Sequence, residues 1–261
     1  MINFMAVSPH GDELIDPKDP ESKKLNEAMK RLAIVKSSYD LDTLVVLTPH
    51  NIRIPDYFAV ITCQYLKGEM GGHEIQLETD RQLGYSLLNE VKKSQLPAVG
   101  VNFGALEGDL SSLPLDWGTS IPLNFLYKGE KVLLIGPARE IKREILTRFG
   151  EVLASVIDRA QERVGIIISA DNAHTHEPGG PYGYSPMAAL YDNEIVEAFK
   201  GGELSRISYI SDQVIEGAKP DSFWQFMVML GIINYKPMKP VYLYYAHPTY
   251  FGMLVAYFKN A

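Results

Sequence analysis

Four of the six histidines lie in loops that follow apolar runs. "VSPHGDELI" (7–15) closes one run with Ser-Pro-His, and "LVVLTPHNI" (44–52) closes another with Thr-Pro-His. A third run leads into "IIISADNAHTHEPGG" (166–180), which carries His174 and His176. Imidazole is a common ligand for iron, zinc and other borderline metals. Two histidines and a carboxylate on one face of an ion leave open positions opposite, the facial arrangement of non-haem Fe(II) oxygenases. His10 and His50 are the candidate ligands for such a site, and His174 is the candidate acid/base group. Proline before a histidine restricts the chain and helps aim the ring, although Ser-Pro and Thr-Pro also open ordinary turns. Turn or surface histidines with satisfied hydrogen bonds are the plain alternative.

The elements that would position these residues follow from the apolar patterning. Strand-like runs occur at 2–8, 43–49, 57–66, 97–103, 131–137 and 164–170. Helical spacing occurs at 21–38, where Leu25, Met29, Leu32 and Ile34 recur, and at 80–94 and 139–162. "KPVYLYYA" and "FGMLVAYF" suit a terminal hairpin. Near-continuous apolar strands alternating with helices predict one α/β domain over 1–261, with a mixed, largely parallel sheet flanked by helices. In such sheets ligands bind beyond the carboxyl ends of the strands. His10, His50 and the His174/His176 pair all fall there, so their loops are expected to converge.

Composition narrows the function classes. A formal net charge of −7 argues against a nucleic-acid footprint. No apolar run reaches the ~18–20 residues of a membrane span. The N-terminal "MINFMAVSPH" lacks a basic region and a long apolar region, so no signal peptide is expected. Cys63 is the sole cysteine, which excludes an intrachain disulfide and a cysteine-rich zinc site and fits a cytoplasmic location. Any metal must be held by His, Asp or Glu.

The ordered set of segments resembles the class III extradiol ring-cleavage dioxygenases of the protocatechuate 4,5-dioxygenase catalytic-subunit type. "VSPHGDELI" and "LTPHNI" are similar to the family's two histidine ligand loops. "SADNAHTHEPGGPYGYSPMAALYD" (169–192) is similar to its acid/base segment, and "FWQFMVMLGII" (223–233) to the helix after its carboxylate ligand. The resemblance implies Fe(II) held by His10 and His50, with zinc or manganese as other occupants. It implies His174 as acid/base, a small aromatic substrate and O2 as partners, and a homo-oligomer as one allowed assembly. The third ligand falls within "QVIEGAKPDSFWQF" (213–226), where Asp221 is favoured and Glu216 is the other candidate; Asp221 would also serve as a helix N-cap. One departure stands out. Many members have Asp-His-Gly before a Pro-Leu strand, where this chain reads "LDWGTSIPLNF", with Trp117 in place of the second acid/base histidine.

Other residues carry weaker expectations. His176 lines the pocket, orients a ligand or sits in a turn; His247 suits a surface turn and His73 a solvated Gly-rich loop. Tyr182 and Tyr184 either stack on a phenolic substrate or pack over the sheet edge. Asp12 and Glu13 either support the site or charge a helix start. Met227, Met229 and Leu230 belong to a core helix, Cys63 reads as a small buried hydrophobe, and Arg139, Lys142, Arg143 and Arg148 form a solvated helix face. The leading expectation is a cytoplasmic Fe(II) extradiol dioxygenase acting on a catechol-like compound. The alternatives are a zinc enzyme of the same geometry and a divergent binding or scaffold protein, the latter favoured by Trp117.

Overall fold

The computed structural model describes residues 1–260. Strand β1 (Ile2–Ser8) passes through a 3-10 turn (Asp12–Leu14) into α1 (Pro20–Lys36) and β2 (Thr43–Leu47). β3 (Phe58–Ile61), β4 (Tyr65–Met70), β5 (His73–Glu78), α2 (Arg81–Lys93) and β6 (Ala98–Val101) follow. Next come β7 (Ser112–Pro114), α3 (Trp117–Leu126), β8 (Lys131–Ile135), α4 (Arg143–Arg159) and β9 (Val164–Ser169). A long loop then leads to α5 (Met187–Gly201), α6 (Asp212–Ala218), α7 (Phe223–Tyr235) and the closing hairpin of β10 (Met238–Ala246) and β11 (Met253–Asn260).

Eight strands form one mixed sheet in the order β10-β11-β1-β9-β2-β8-β3-β6, with β1, β9, β2 and β8 mutually parallel. Side chains alternate between its faces with period two. On β1, Phe4 and Ala6 join Leu25, Met29 and Leu32 of α1. Met5 and Val7 join Leu83 and Leu87 of α2 and Phe149 and Leu153 of α4 on the other face. With both faces covered, a central strand must be apolar at every position, and all six residues of β9 are buried. Helix α7 is apolar nearly all round because it lies against α4 at close range. A Cβ on Gly231 would stand 1.8 Å from the Thr147 carbonyl oxygen, and one on Gly150 2.0 Å from that of Val228.

The α/β domain with helices on both faces matches the sequence expectation, and several boundaries are corrected. The run 57–66 is two strands in two sheets, because the chain leaves β3 at Thr62 and enters a small sheet of order β5-β4-β7. Gly71 and Gly72, both with positive φ, make the hairpin turn that leads into the exposed His73. The Pro-Leu stretch is a helix, not a strand: Asp116 caps α3 by accepting from the Thr119 N–H at 3.0 Å. Helix α4 starts at Arg143 because Lys142 holds an extended backbone. The basic run is therefore only partly a solvated helix face. Arg143 donates to the carbonyls of Ser208 and Ile210, and Arg139 precedes the helix. Ile34 faces solvent, and Ala28 takes part in the buried stripe of α1.

Candidate metal centre

Strand register brings the histidine loops together. Ser8 pairs with Ser169, and Leu47 pairs with Ile168, so three adjacent parallel strands end at one level. His10 lies two residues beyond β1, His50 three beyond β2, and His174 five beyond β9. Asp221 arrives from the other side, just ahead of α7. It does not cap that helix; its Oδ1 accepts the Asp171 N–H at 2.9 Å.

Nε2 of His10 is the hub. His50 Nε2 lies 3.1 Å from it, Asp171 Oδ2 3.2 Å and Asp221 Oδ2 3.3 Å. His50 Nε2 and His174 Nε2 each lie 4.0 Å from Asp221 Oδ2. Two overlapping sets of possible ligand atoms result, His10/His50/Asp221 and Asp171/His174/Asp221. His10, Asp171 and Asp221 are buried, and a cavity of about 620 Å³ opens above them. Trp117, Tyr182, Tyr250 and Phe251 wall that cavity, with Asp12 and Glu13 on its rim.

The ring orientations follow from contacts behind the histidines. The Ser169 hydroxyl donates to the Gly118 carbonyl, so at 3.1 Å it accepts from His10 Nδ1–H, which leaves Nε2 free for a ligand role. That carbonyl is available because Pro122, one turn later in α3, has no N–H to offer it. Asp116 accepts from Thr48 Oγ1 at 2.7 Å and from Asn51 Nδ2 at 3.0 Å, tying the His50 loop to α3. Trp117 packs on the His50 ring with centroids 4.0 Å apart. Gly118 must lack a side chain, since its Cβ would stand 2.9 Å from His50 Cδ2. His174 Nδ1–H donates to the Asn172 carbonyl at 2.9 Å, presenting Nε2 to the cluster.

Residues 5–256 match the family described as the catalytic LigB subunit of aromatic ring-opening dioxygenase. The chain belongs to this family. Protein CA_C1420 of Clostridium acetobutylicum is 26% identical over 236 residues, covering 86% of this chain and 50% of that protein. The chain thus spans about half the length of that relative. The uncharacterized protein JW3007 of Escherichia coli K12 has a similar fold, with TM-score 0.66 over 97% of this chain and 98% of that one, at 12% identity.

The site of this LigB-family chain suits a cation. Burial works against charge on His10, yet Asp171 and Asp221 outweigh it and raise its pKa to about 9. The same His10 charge holds Asp221 below the ordinary carboxylate range against the effect of burial. Burial raises Asp171 to about 7 and lowers His50 to about 4, the latter with help from His10. Burial also lowers His174. Two carboxylates that hold positive charge on His10, beside the His50 and His174 imidazoles of lowered proton affinity, form a donor set for a borderline divalent ion. LigB-family dioxygenases are metal-dependent, and these residues are able to bind one.

Of the residues singled out in the sequence, His10, His50, His174 and Asp221 come together. Glu216 lies exposed on α6, away from them. His176 is drawn off to Asp192, at 2.7 Å, and stacks on His247. Tyr182 lines the cavity and Tyr184 does not. Sequence reasoning missed Asp171, whose Oδ1 accepts the His10 N–H at 3.0 Å. Its signal was its place two residues past β9, level with His10. Asp192, the acidic residue that ends the 169–192 segment, was given no role there: buried, it accepts the Ala173 N–H at 2.9 Å and so anchors the His174 loop.

Proposed function

We propose that the protein is a cytoplasmic, non-haem Fe(II)-dependent extradiol ring-cleavage dioxygenase acting on a catechol-like substrate with O2. In this reading His10, His50 and Asp221 are the iron ligands and His174 is the acid/base group. One observation carries it: the three ligand atoms converge beneath an aromatic-walled cavity with His174 Nε2 at their edge. His10, His50 and Asp221 would hold iron(II), which would supply the redox chemistry that couples a diol to O2; zinc and manganese are the other ions such a donor set accepts. The ring opens beside the diol, and both atoms of O2 enter the product.

The chain's own groups supply binding and proton transfer. Trp117, Tyr182 and Phe251 offer ring faces and edges for a flat aromatic substrate. His174 Nε2 accepts a proton from a substrate hydroxyl, because Nδ1 is committed to the Asn172 carbonyl and burial keeps the ring neutral. Trp117 occupies the place of the family's second histidine, so His174 handles the proton traffic. That same substitution favours a competing reading, a divergent member that binds aromatics without opening them.

Oxygen uptake by the Fe(II)-reconstituted protein across a panel of catechols decides between them. The dioxygenase reading expects equimolar consumption of O2 and catechol with a ring-opened, visibly coloured product. Iron-loaded protein that binds catechols and consumes no O2 would overturn it.

A further inference from the structure

Resting on that reading of the site, we propose that its substrate is a cationic catechol, one carrying an amine side chain and not a carboxylate. Beyond the metal cluster itself, the charged side chains lining the cavity are Asp12 and Glu13; among the described residues that line it there is no lysine or arginine. The nearby Arg139 donates to the Pro49 carbonyl at 3.3 Å and is not part of the lining.

Glu13 is held in place. Thr249 Oγ1 donates to its Oε1 at 3.0 Å. Its Oε2 folds back over the loop, so close that a Cβ on Gly11 would stand 2.6 Å from it. A side chain at position 11 would push this carboxylate off the cavity rim. The glycine next to His10 therefore lets an acid stand beside the metal cluster. Tyr182, Tyr250 and Trp117 add ring faces, which attract an ammonium group and offer nothing to a carboxylate.

The diol end of the substrate goes to the metal cluster, so a side chain on the ring is directed toward this rim. An ammonium there meets Glu13, Asp12 and aromatic faces. A carboxylate there meets two like charges and no lysine or arginine in the lining, which disfavours it by repulsion as much as by lack of partners. The cavity, about 620 Å³, has room for a catechol with a short chain.

The test is anaerobic calorimetric binding of three ring-matched catechols to the iron-loaded protein, bearing aminoethyl, ethyl and carboxymethyl chains. The amine should bind tightest and the acid weakest. Glu13→Gln keeps an acceptor for Thr249 and should cut the amine-to-acid affinity ratio about fivefold while leaving the ethyl compound unchanged. An acid that binds as well as the amine overturns the proposal, as does a ratio unmoved by Glu13→Gln or binding of none of the three. Oxygen uptake measured in parallel separates the two claims. Amine preference without uptake supports the charge assignment and removes the ring-opening reading; uptake without charge preference does the reverse.

Discussion

At the end of the sheet where β2 and β8 begin, Lys36 and Glu130 are 1% and 7% exposed and meet as one cation and one anion. Beside them Asp42 and Asp40 pair with Arg163, which precedes β9. At the opposite end, where β1, β9 and β2 stop, buried charge is not balanced in this way. Asp171 and Asp221 crowd one imidazole, with two more at hand, and their protonation shifts run in opposing directions. The matched, buried Lys36–Glu130 pair fastens the end of α1 to the start of β8, and the exposed Asp40 and Asp42 share Arg163 in contact with water. The unmatched cluster retains a demand for positive charge, and it opens onto a cavity. Burial of charge alone does not mark a site; imbalance facing open space does.

Substitutions at the two ends should therefore fail in different ways. The largest effect belongs to the unmatched end: His174→Gln should slow O2 uptake by about 10²–10⁴-fold with iron content unchanged, measured by an oxygen electrode and elemental analysis. At the matched end, Lys36→Met leaves Glu130 buried without its partner and should cost about 3–5 kcal/mol in urea unfolding, again with iron retained. A loss of iron in that variant would blur the distinction between the two ends. Ser169→Ala removes the acceptor for His10 Nδ1–H and should weaken iron binding about tenfold to a hundredfold in a chelator competition, with little change in fold.

The pH dependence of stability in metal-stripped protein also separates the ends, because its sign differs between them. The folded pKa of His10 is raised from 6.5 to about 9, so its contribution is fully present below pH 6.5 and is lost as pH rises through 9. Asp171, raised from 3.8 to about 7, adds a loss as pH climbs through that lower interval. Asp42, lowered from 3.8 to about 2 by its Arg163 hydrogen bonds, contributes above 3.8 and loses it as pH falls through 2. Urea midpoints across pH should show the alkaline loss disappear on adding metal and the acid loss persist.

Much of this arrangement was legible in the sequence. Two apolar runs ending in Pro-His and a third leading to His174 marked strand ends, and a parallel sheet places strand ends on one edge, so His10, His50 and His174 could be grouped from the sequence alone. Asp221 was legible through the resemblance to the family's carboxylate segment, since its position ahead of an apolar helix by itself reads equally as an N-cap. Asp171 was not, because a lone carboxylate past a buried strand looks like any loop acid until register sets it level with His10. The role of Ser169 was hidden for a different reason. It depends on a carbonyl left free by Pro122 in a helix that the Pro-Leu stretch disguised as a strand. The division of 57–66 between two sheets was invisible, since a fully apolar run carries no sign of where a strand changes partners.

The central claim is that His10, His50 and Asp221 hold a metal. The direct measurement is elemental analysis of anaerobically purified protein beside the His10→Ala variant, both reconstituted with Fe(II), with urea unfolding to show that the variant is folded. About one iron per chain in the parent and none in the folded variant is the predicted result. Equal iron in both, or none in either after reconstitution, would contradict it.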